Sequence, residues 1–371
     1  MQFSIKRDLL LKSLNLTQGV IEKKNTLPIL SNVLLEAKDN KLIIVATDLD
    51  LVFYDEINDI KIEKEGSTTT SAYILFDILR KISQNSDVNF FLKDKNKLDV
   101  KANKANFNLL CLPIDNFPNF SNNFDSTEIK MNKDKLLSLI NKTKISISND
   151  DTRHYLNGIF LHTTKLSDKS FITGVATDGH RLSSSSVEIK SSENVNPLIL
   201  PRKTAFQLSN LLQEYQGEVV LQTSENKIQF KIGKTKIISK VIDGKFPDYK
   251  KVVPSSNDKS LTSSKRDFIN SVERVITVSI DKKEGVKLKI NKDSINLSVH
   301  STNSGDGNEN IPAKFNGAET TISFNSKYLI DIASQIEDEN IKMLIKDSIS
   351  PVLIEDLTDK NSYYVIMPMK I

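Results

Sequence analysis

The sequence predicts an α+β fold made of three similar units, each with two helices packed on antiparallel strands. The first observation is an echo: residues 46–51 read Ala-Thr-Asp-Leu-Asp-Leu, and residues 176–182 read Ala-Thr-Asp-Gly-His-Arg-Leu. The second is that two amphipathic helix patterns each occur three times along the 371 residues. The third is a series of short apolar or alternating segments bounded by turn-forming residues, which is typical of antiparallel hairpins. Repeats of this length indicate duplicated domains.

The helix patterns recur in the same order in each unit. The first helix is predicted at residues 4–16, 131–145 and 264–276, and the second at residues 71–82, 201–212 and 325–336. Each first helix places apolar residues one turn apart, at Leu10 and Leu14, Leu136 and Ile140, and Phe268 and Val272. Strands are predicted between and after the helices, at residues 41–46, 88–92, 97–100, 219–223, 228–232, 286–290 and 294–299.

The boundaries of the three units follow from a second echo and from two polar joints. Residues 114–119 and 242–248 share the pattern Ile-Asp followed by Phe-Pro, and each closes a unit. The joints are residues 119–132, rich in Asn and Ser, and residues 250–264. The predicted units are therefore 1–122, 129–249 and 250–371.

Composition narrows the class of protein. The chain has 51 basic and 47 acidic residues, a net charge of +4, so a strongly basic polyanion-wrapping protein is not indicated. A single cysteine, Cys111, excludes a disulfide framework, and four histidines make a multi-histidine metal site improbable. The sequence has no apolar run of spanning length and no signal peptide at its start. We expect a cytoplasmic protein with no membrane contact, cofactor or metal.

Five short segments, taken together, carry a family resemblance: residues 26–32, 155–158, 176–182, 243–249 and 365–371. In this order, on a triplicated chain, they resemble the β subunit of bacterial DNA polymerase III, the sliding clamps, over essentially the whole length. The resemblance implies the DNA clamp fold and a head-to-tail homodimer that closes a six-domain ring around double-stranded DNA. It implies non-specific, topological DNA binding without catalysis. The implied partners are the replicative polymerase catalytic subunit, the clamp loader, and other polymerases and repair proteins carrying short peptide motifs.

The resemblance also implies a peptide-binding cleft between the second and third units. The matching positions are Leu156, Thr177, Gly179, His180, Arg181, Leu182, Pro247, Lys251, Val252, Tyr328, Ile349, Pro351, Val365, Ile366, Met367, Pro368, Met369 and Lys370. Methionines adapt to several partners, which suits such a cleft. Lys251 and Lys370 stand where the family often has arginine, and Pro351 where serine is usual, so we expect altered peptide preference.

Two further sets of residues follow from the resemblance. The positions implied to face DNA are Lys24, Arg80, Arg153, Tyr155, Arg202 and Lys203, and those implied to form the dimer contact are Phe107, Leu109, Thr277 and Val278. Near the DNA-facing set, Asp150 stands where the family carries a neutral polar residue and His154 replaces a common tyrosine. Phe107 and Leu109 alternate along a predicted strand and share a face, which is either an edge contact or core.

Two other functions remain open on the sequence alone. Asp178 beside His180 is compatible with a general base in a nucleotidyl or hydrolytic enzyme, although no nucleophile signature or phosphate-binding glycine loop accompanies the pair. A monomeric peptide-binding adaptor without a DNA role is the second alternative. The oligomeric state in solution separates this adaptor from a ring.

Overall fold

The computed structural model describes residues 1–22, 26–94, 96–120, 124, 128–190, 194–279 and 285–369. Within them the helices are α1 (Arg7–Thr17), α2 (Ala72–Lys81), α3 (Lys133–Lys144), α4 (Arg202–Glu214), α5 (Lys265–Val275) and α6 (Ser326–Ala333). The first strands are β1 (Gln2–Lys6), β2 (Asn32–Lys38), β3 (Lys41–Thr47), β4 (Leu51–Ile57), β5 (Lys61–Lys64), β6 (Gly66–Ser71), β7 (Asp87–Asp94), β8 (Lys97–Ala102), β9 (Ala105–Leu112), β10 (Ile129–Asn132), β11 (Gly158–Leu166), β12 (Lys169–Thr177) and β13 (Arg181–Ile189). The remaining strands are β14 (Leu198–Pro201), β15 (Glu218–Thr223), β16 (Lys227–Ile232), β17 (Thr235–Lys240), β18 (Lys259–Ser264), β19 (Gly285–Ile290), β20 (Ser294–Ser301), β21 (Gly305–Phe315), β22 (Thr320–Asn325), β23 (Asn340–Ile345), β24 (Val352–Glu355) and β25 (Ser362–Ile366).

The predicted α+β class is confirmed, and the six helices lie where the two repeated patterns put them. Side chains before three of the helices cap them: Ser71, Ser264 and Asn325 each accept a hydrogen bond from a backbone N–H in the first turn. The first helix, however, begins at Arg7 rather than at residue 4. Residues Gln2–Lys6 form β1 instead, because Phe3 and Ile5 alternate into the core of a sheet that β1 shares with β7.

The chain forms two compact units, one of Met1–Leu137 with Lys203–Val241 and the other of Ser138–Arg202 with Ile242–Ile371. Among the described residues each unit holds one continuous sheet. The first sheet has the order β10-β15-β16-β17-β4-β3-β2-β6-β9-β8-β7-β1-β5, and the second has the order β14-β11-β12-β13-β25-β24-β23-β18-β21-β20-β19-β22. All their pairings are antiparallel.

Two strand pairs explain why this division cuts through the middle of the three repeats. In the first unit β17, from the second repeat, pairs with β4 from the first, and Ile238 lies opposite Val52. In the second unit β25, from the third repeat, pairs with β13 from the second, and Val365 lies opposite Leu182. Part of the middle repeat is therefore joined to each neighbour by backbone hydrogen bonds. We call the β4–β17 pair the first junction and the β13–β25 pair the second junction.

Strands β9 and β21 each leave a long stretch of one edge unpaired within the described part of the chain. Residues 105–110 of β9 pair with β8, and only Cys111 and Leu112 reach β6 on the other side. Residues 305–312 of β21 pair with β20, and only its last three residues pair with β18. Exposed edges of this length offer free backbone donors and acceptors to another strand. Separately, no described helix is long and apolar enough to cross a membrane.

Candidate functional site

A cleft of about 310 Å³ opens in the second unit beside the second junction. It is built from the β12–β13 turn, the end of β25 and two short 3-10 segments. Its lining residues are Arg153, Tyr155, Leu156, Thr177, Gly179, His180, Arg181, Leu182, Pro247, Asp248, Tyr249, Val252, Val365 and Met367. Chain segments more than 200 residues apart in the 371-residue sequence thus meet around one cavity.

The turn between β12 and β13 holds its shape through one aspartate. Asp178 Oδ1 accepts hydrogen bonds from the backbone N–H groups of His180 and Arg181, both at 2.9 Å. Thr177 Oγ1 accepts a third bond from the N–H of Gly179 at 3.1 Å. Gly179 has φ +91°, a left-handed conformation that glycine adopts without steric cost. The Asp-Gly pair therefore forms the tight turn that the sequence predicts.

Arg181 anchors this turn from behind the cleft. Its side chain is 7% exposed, with Nε 3.1 Å from Asp178 Oδ2 and Nη1 2.8 Å from Asp331 Oδ2. The guanidinium also lies 4.2 Å from the centroid of the Tyr328 ring. A planar, forked cation suits two carboxylates and an aromatic face at once, whereas a lysine ammonium does not. Arg181 lines the cleft and fixes the turn through its charge.

The C-terminal segment forms the opposite wall and is also part of the core. Val365 and Ile366 are buried in β25, but Met367 is 39% exposed at the cleft. The N–H of Met367 donates to the carbonyl of His180 at 2.8 Å, and that of Met369 donates to the carbonyl of Ser323 at 2.7 Å. The backbone thus holds the flexible Met367 side chain at the mouth of the cavity.

The floor comes from an apolar cluster of buried residues, which are Leu156, Val175, Leu182, Ile199, Phe246, Tyr249 and Val365. Beneath it the Tyr249 hydroxyl lies 3.1 Å from Nε2 of His162. Burial raises the pKa of Tyr249 to about 12 and lowers the pKa of His162. Both side chains are therefore neutral near pH 7, and the floor presents no charge to a ligand.

Several residues predicted for the cleft do not line this cavity. Tyr328 lies behind Arg181, Ile366 is buried in the core, and Ile349 is 72% exposed. Lys251, Pro351, Pro368 and Met369 also fall outside the lining, and Lys370 lies outside the described residues. Conversely, the cavity includes Asp248 and Tyr249, which the sequence analysis did not single out. The sequence feature that could have identified both residues is their position directly after the Phe-Pro echo.

Two residues predicted to face DNA line the same cavity. Arg153 Nε lies 2.8 Å from Asp150 Oδ2, and its Nη2 donates to the carbonyl of Asp178 at 3.2 Å. Hydrogen bonds from Thr152 and Arg153 lower the pKa of Asp150 to about 2. Tyr155 is partly exposed on the same 3-10 segment, Asp151–Leu156. The departure at Asp150 therefore has a structural consequence, since this carboxylate pairs with Arg153.

The other predicted DNA-facing residues differ in exposure. Arg80 and Arg202 are exposed, at the end of α2 and the start of α4, and Arg80 Nη2 lies 3.6 Å from Asp77 Oδ1. Lys203 is half-buried, and its ammonium lies 2.6 Å from Asp48 Oδ2 and donates to the carbonyl of Val20 at 2.7 Å. Lys24 lies outside the described residues.

The predicted dimer residues lie at the two open strand edges. On β9, Phe107 is half-buried and lines a second cavity of about 580 Å³ with Ile74, whereas Leu109 is 7% exposed. Leu109 thus packs within its own chain, and its part in the dimer contact stays a prediction. Thr277 and Val278 form the 3-10 segment after α5, close to Gly307 of β21.

The geometry at His180 does not support a catalytic pair. One carboxylate oxygen of Asp178 accepts hydrogen bonds from backbone N–H groups, and the other pairs with the Arg181 guanidinium. Among the described contacts, Asp178 accepts a hydrogen bond from the backbone N–H of His180 and none from its imidazole ring. A general base needs an orienting partner on its imidazole, which this aspartate does not provide.

Comparison with known proteins gives matches to a single protein family along nearly the whole chain. Residues 1–121, 130–248 and 250–370 match the models of the N-terminal, central and C-terminal domains of the DNA polymerase III beta subunit. The chain is 37% identical to the beta sliding clamp of Caulobacter vibrioides and 31% identical to that of Escherichia coli K12, in each case over 100% of both chains.

Solved structures give the same result. The Caulobacter crescentus clamp, crystallised with polyethylene glycol, superposes with a TM-score of 0.95 at 37% identity over 100% of this chain and 99% of that one. The Bartonella birtlesii clamp bound to griselimycin gives a TM-score of 0.94 at 35% identity, with complete coverage of both chains.

Proposed function

This chain belongs to the DNA polymerase III beta subunit family, the sliding clamps of bacterial replication, and we propose which of its surfaces perform that function. A sliding clamp is a processivity factor: it encircles duplex DNA, tethers the polymerase and catalyses nothing. We propose that the 310 Å³ cleft holds partner peptides and that the two open strand edges close the ring. We also propose that the protein works in the cytoplasm, where bacterial DNA is replicated.

The strand pairing supports a head-to-tail dimer. Two strands of each repeat matter for the pairing between repeats. The fourth strands of the three repeats are β4, β13 and β21, and the last strands are β9, β17 and β25. The last strand of the second repeat pairs with the fourth of the first, and the last strand of the third pairs with the fourth of the second. The same rule leaves β9 and β21 open within the described chain. We therefore propose that β9 of one copy pairs with β21 of another, which is the single observation that carries the ring.

Charge supports the same pairing. The hairpin that ends in β9 carries Lys101 and Lys104, and the open part of β21 carries Asp306 and Glu309, of which Glu309 also pairs with Arg274 of its own chain at 2.5 Å. Opposite charges at the two edges favour the head-to-tail pairing over β9–β9 or β21–β21 contacts, which would bring like charges together. Phe107, half-exposed beside the edge, supplies an apolar contact at the same place.

The cleft is suited to an extended peptide with an apolar anchor. Its floor is apolar and uncharged, and its lining combines the intrinsically flexible side chain of Met367 with the polar groups of Arg153 and Asp248. An apolar pocket with a few polar groups at the rim is the usual form of a small-ligand or peptide site. The polymerase catalytic subunit, the clamp loader and repair proteins are the proposed partners. Griselimycin, bound to the Bartonella birtlesii clamp, is a further proposed ligand of this chain.

Retention on DNA tests the ring directly. The clamp loader places the protein on nicked circular DNA, and gel filtration then separates bound from free protein. We expect the protein to stay on the circle at high salt and to be lost after a restriction enzyme linearises the DNA. Equal retention on circular and linear DNA, with the same decline in salt, would show ordinary electrostatic binding and contradict the ring.

A further inference from the structure

The first junction repeats the construction of the cleft with different side chains at its rim. An apolar cluster lies beside β4 and β17 and contains Ile29, Leu30, Val45, Val52, Phe117 and Ile238, with Leu34, Leu112, Phe120 and Phe124 packed against it. The cleft floor has the same plan: a leucine from a 3-10 segment, valine from the strand before the turn, the Phe of the Phe-Pro echo, and a facing pair across the junction. The facing pairs are Val52 with Ile238 and Leu182 with Val365.

The backbone of the turn is also repeated. Asp48 Oδ1 accepts hydrogen bonds from the N–H groups of Asp50 at 3.0 Å and Leu51 at 2.7 Å, just as Asp178 does in the cleft. Leu49 has φ +81°, close to the +91° of Gly179.

The facing wall is attached in the same way at both junctions. The N–H of Lys240 donates to the carbonyl of Asp50 at 2.8 Å, as Met367 does to His180 in the cleft. The first junction thus has the frame of a peptide cleft.

Three of the differences between the two rims bear on peptide binding. Where the cleft has Gly179, His180 and Met367, the first junction has Leu49, Asp50 and Lys240. The Lys240 ammonium lies 2.8 Å from Asp50 Oδ1, and both side chains are more than half exposed. A leucine held at positive φ is strained, so its presence at this position has a steric cost that glycine avoids.

We propose that the first junction is a second copy of the peptide cleft that Leu49 and the Asp50–Lys240 pair close to peptides. An apolar peptide that covered this rim would remove two hydrated charges from water, and their pairing repays that cost only in part. Met367, which stands where the first junction has Lys240, carries no charge, so covering it has no such cost. The three rim residues therefore decide that each chain binds one peptide rather than two. This inference depends on the proposed peptide-binding function of the cleft.

The test is the number of peptides bound per chain. The probe is a synthetic fluorescein-labelled peptide copied from the clamp-binding segment of the polymerase catalytic subunit, titrated calorimetrically into the full-length dimer. The opened variant combines Leu49→Gly, Asp50→His and Lys240→Met. Asp50→Glu with Lys240→Arg is the matched control, because it keeps the ion pair. Lys240→Met alone serves as a milder version should the triple variant fold poorly.

We expect one peptide per chain for the native protein and the charge-keeping control, and two for the opened variant. The added site should bind within about a hundredfold of the cleft, or about 2.7 kcal/mol. Removing residues 367–371 from the opened variant should leave one site, at the first junction. One peptide in both native and opened proteins, or two in the native protein, overturns this inference while leaving the cleft intact. No binding to the native protein overturns the proposed cleft itself.

Discussion

Arg181 Nη1 lies 2.8 Å from Asp331 Oδ2, and this ion pair ties the turn of the cleft to helix α6. The exposed ammonium of Lys327 also pairs with this oxygen, with its Nζ 3.1 Å from Asp331 Oδ2. One carboxylate thus has a buried partner and an exposed partner, which allows the two kinds of pairing to be compared at a single site. Removing one member of a buried pair leaves an uncompensated charge, whereas an exposed pair contributes little.

We therefore expect Arg181→Met to lower the free energy of unfolding of the second unit by about 2–4 kcal/mol. Lys327→Met, the matched control, should change it by less than about 1 kcal/mol. Urea unfolding, monitored through hydrogen exchange at the backbone amides of β13, measures the free-energy change for both variants. Because Asp178 loses its guanidinium partner, the turn should also loosen and peptide affinity should fall. Equal effects of the two substitutions would show that burial of Arg181 has no energetic weight.

A buried lysine predicts how stability depends on pH. Lys142 Nζ lies 2.6 Å from Glu337 Oε1 and 2.7 Å from Asp359 Oδ2. Burial opposes ionisation of Lys142 and Asp359, but their mutual hydrogen bonds outweigh it, so the pKa of Lys142 is raised and that of Asp359 is lowered. The Asp359 contribution is present above its unfolded pKa and is lost as pH falls through the folded value. The Lys142 contribution is present below its unfolded pKa and is lost as pH rises through the folded value.

The triad should therefore stabilise the fold fully between about pH 4 and about pH 10. Lys142→Met should cost about 2–4 kcal/mol in that window, since it leaves Asp359 without its cation. It should also flatten the acid limb of the stability profile. Lys135→Met, at an exposed position of the same helix, is the control. Thermal unfolding across pH 3–11 measures the profiles, and parallel curves for native protein and Lys142→Met would contradict the assignment.

The open strand edges predict how the dimer can be broken. Phe107→Asp should yield monomers, because a charge beside the β9 edge would be buried without a partner. Leu110→Asp is the matched control: it lies on the same strand, points to the opposite face and is largely exposed. We expect this control to remain dimeric. Light scattering at micromolar concentration distinguishes the two masses, and a dimeric Phe107→Asp protein would remove Phe107 from the interface.

The two basic residues at the start of α4 differ in exposure. Arg202 is exposed, and Lys203 is half-buried, with its ammonium held by Asp48 and the carbonyl of Val20. We expect Arg202→Ala to weaken DNA association about uniformly across sequences and to reduce its salt dependence. Lys203→Ala should mainly lower stability. Binding measured over a salt series tests both, and a larger DNA defect for Lys203→Ala would reverse this ranking.

Local patterns predicted the elements well, and distant contacts limited the prediction of the site. The 71–82 pattern matches α2 within a residue at each end, because helix periodicity and the Ser71 cap are both local signals. Strand β1 was missed because its partner β7 lies far along the chain. The Arg153–Asp178 contact and the capture of Lys203 by Asp48 likewise depend on tertiary neighbours. No periodicity reports these, so Arg153 and Lys203 were predicted from resemblance alone.

The last prediction concerns the C-terminal wall of the cleft. Deleting residues 367–371 removes Met367 from the mouth and breaks its backbone bond to His180, but it leaves β25 and the buried Val365 in place. The protein should stay folded and dimeric, because β9 and β21 are untouched. Peptide affinity should fall by more than about tenfold, or roughly 1.4 kcal/mol.

Ile349→Ala is the control that the structure supplies: the residue was predicted for the cleft but does not line it, so affinity should change by less than about twofold. Calorimetry with the polymerase peptide measures both. Native affinity in the truncated dimer would mean that the terminal segment serves only the core, and a large loss in Ile349→Ala would place the binding surface beyond the cavity.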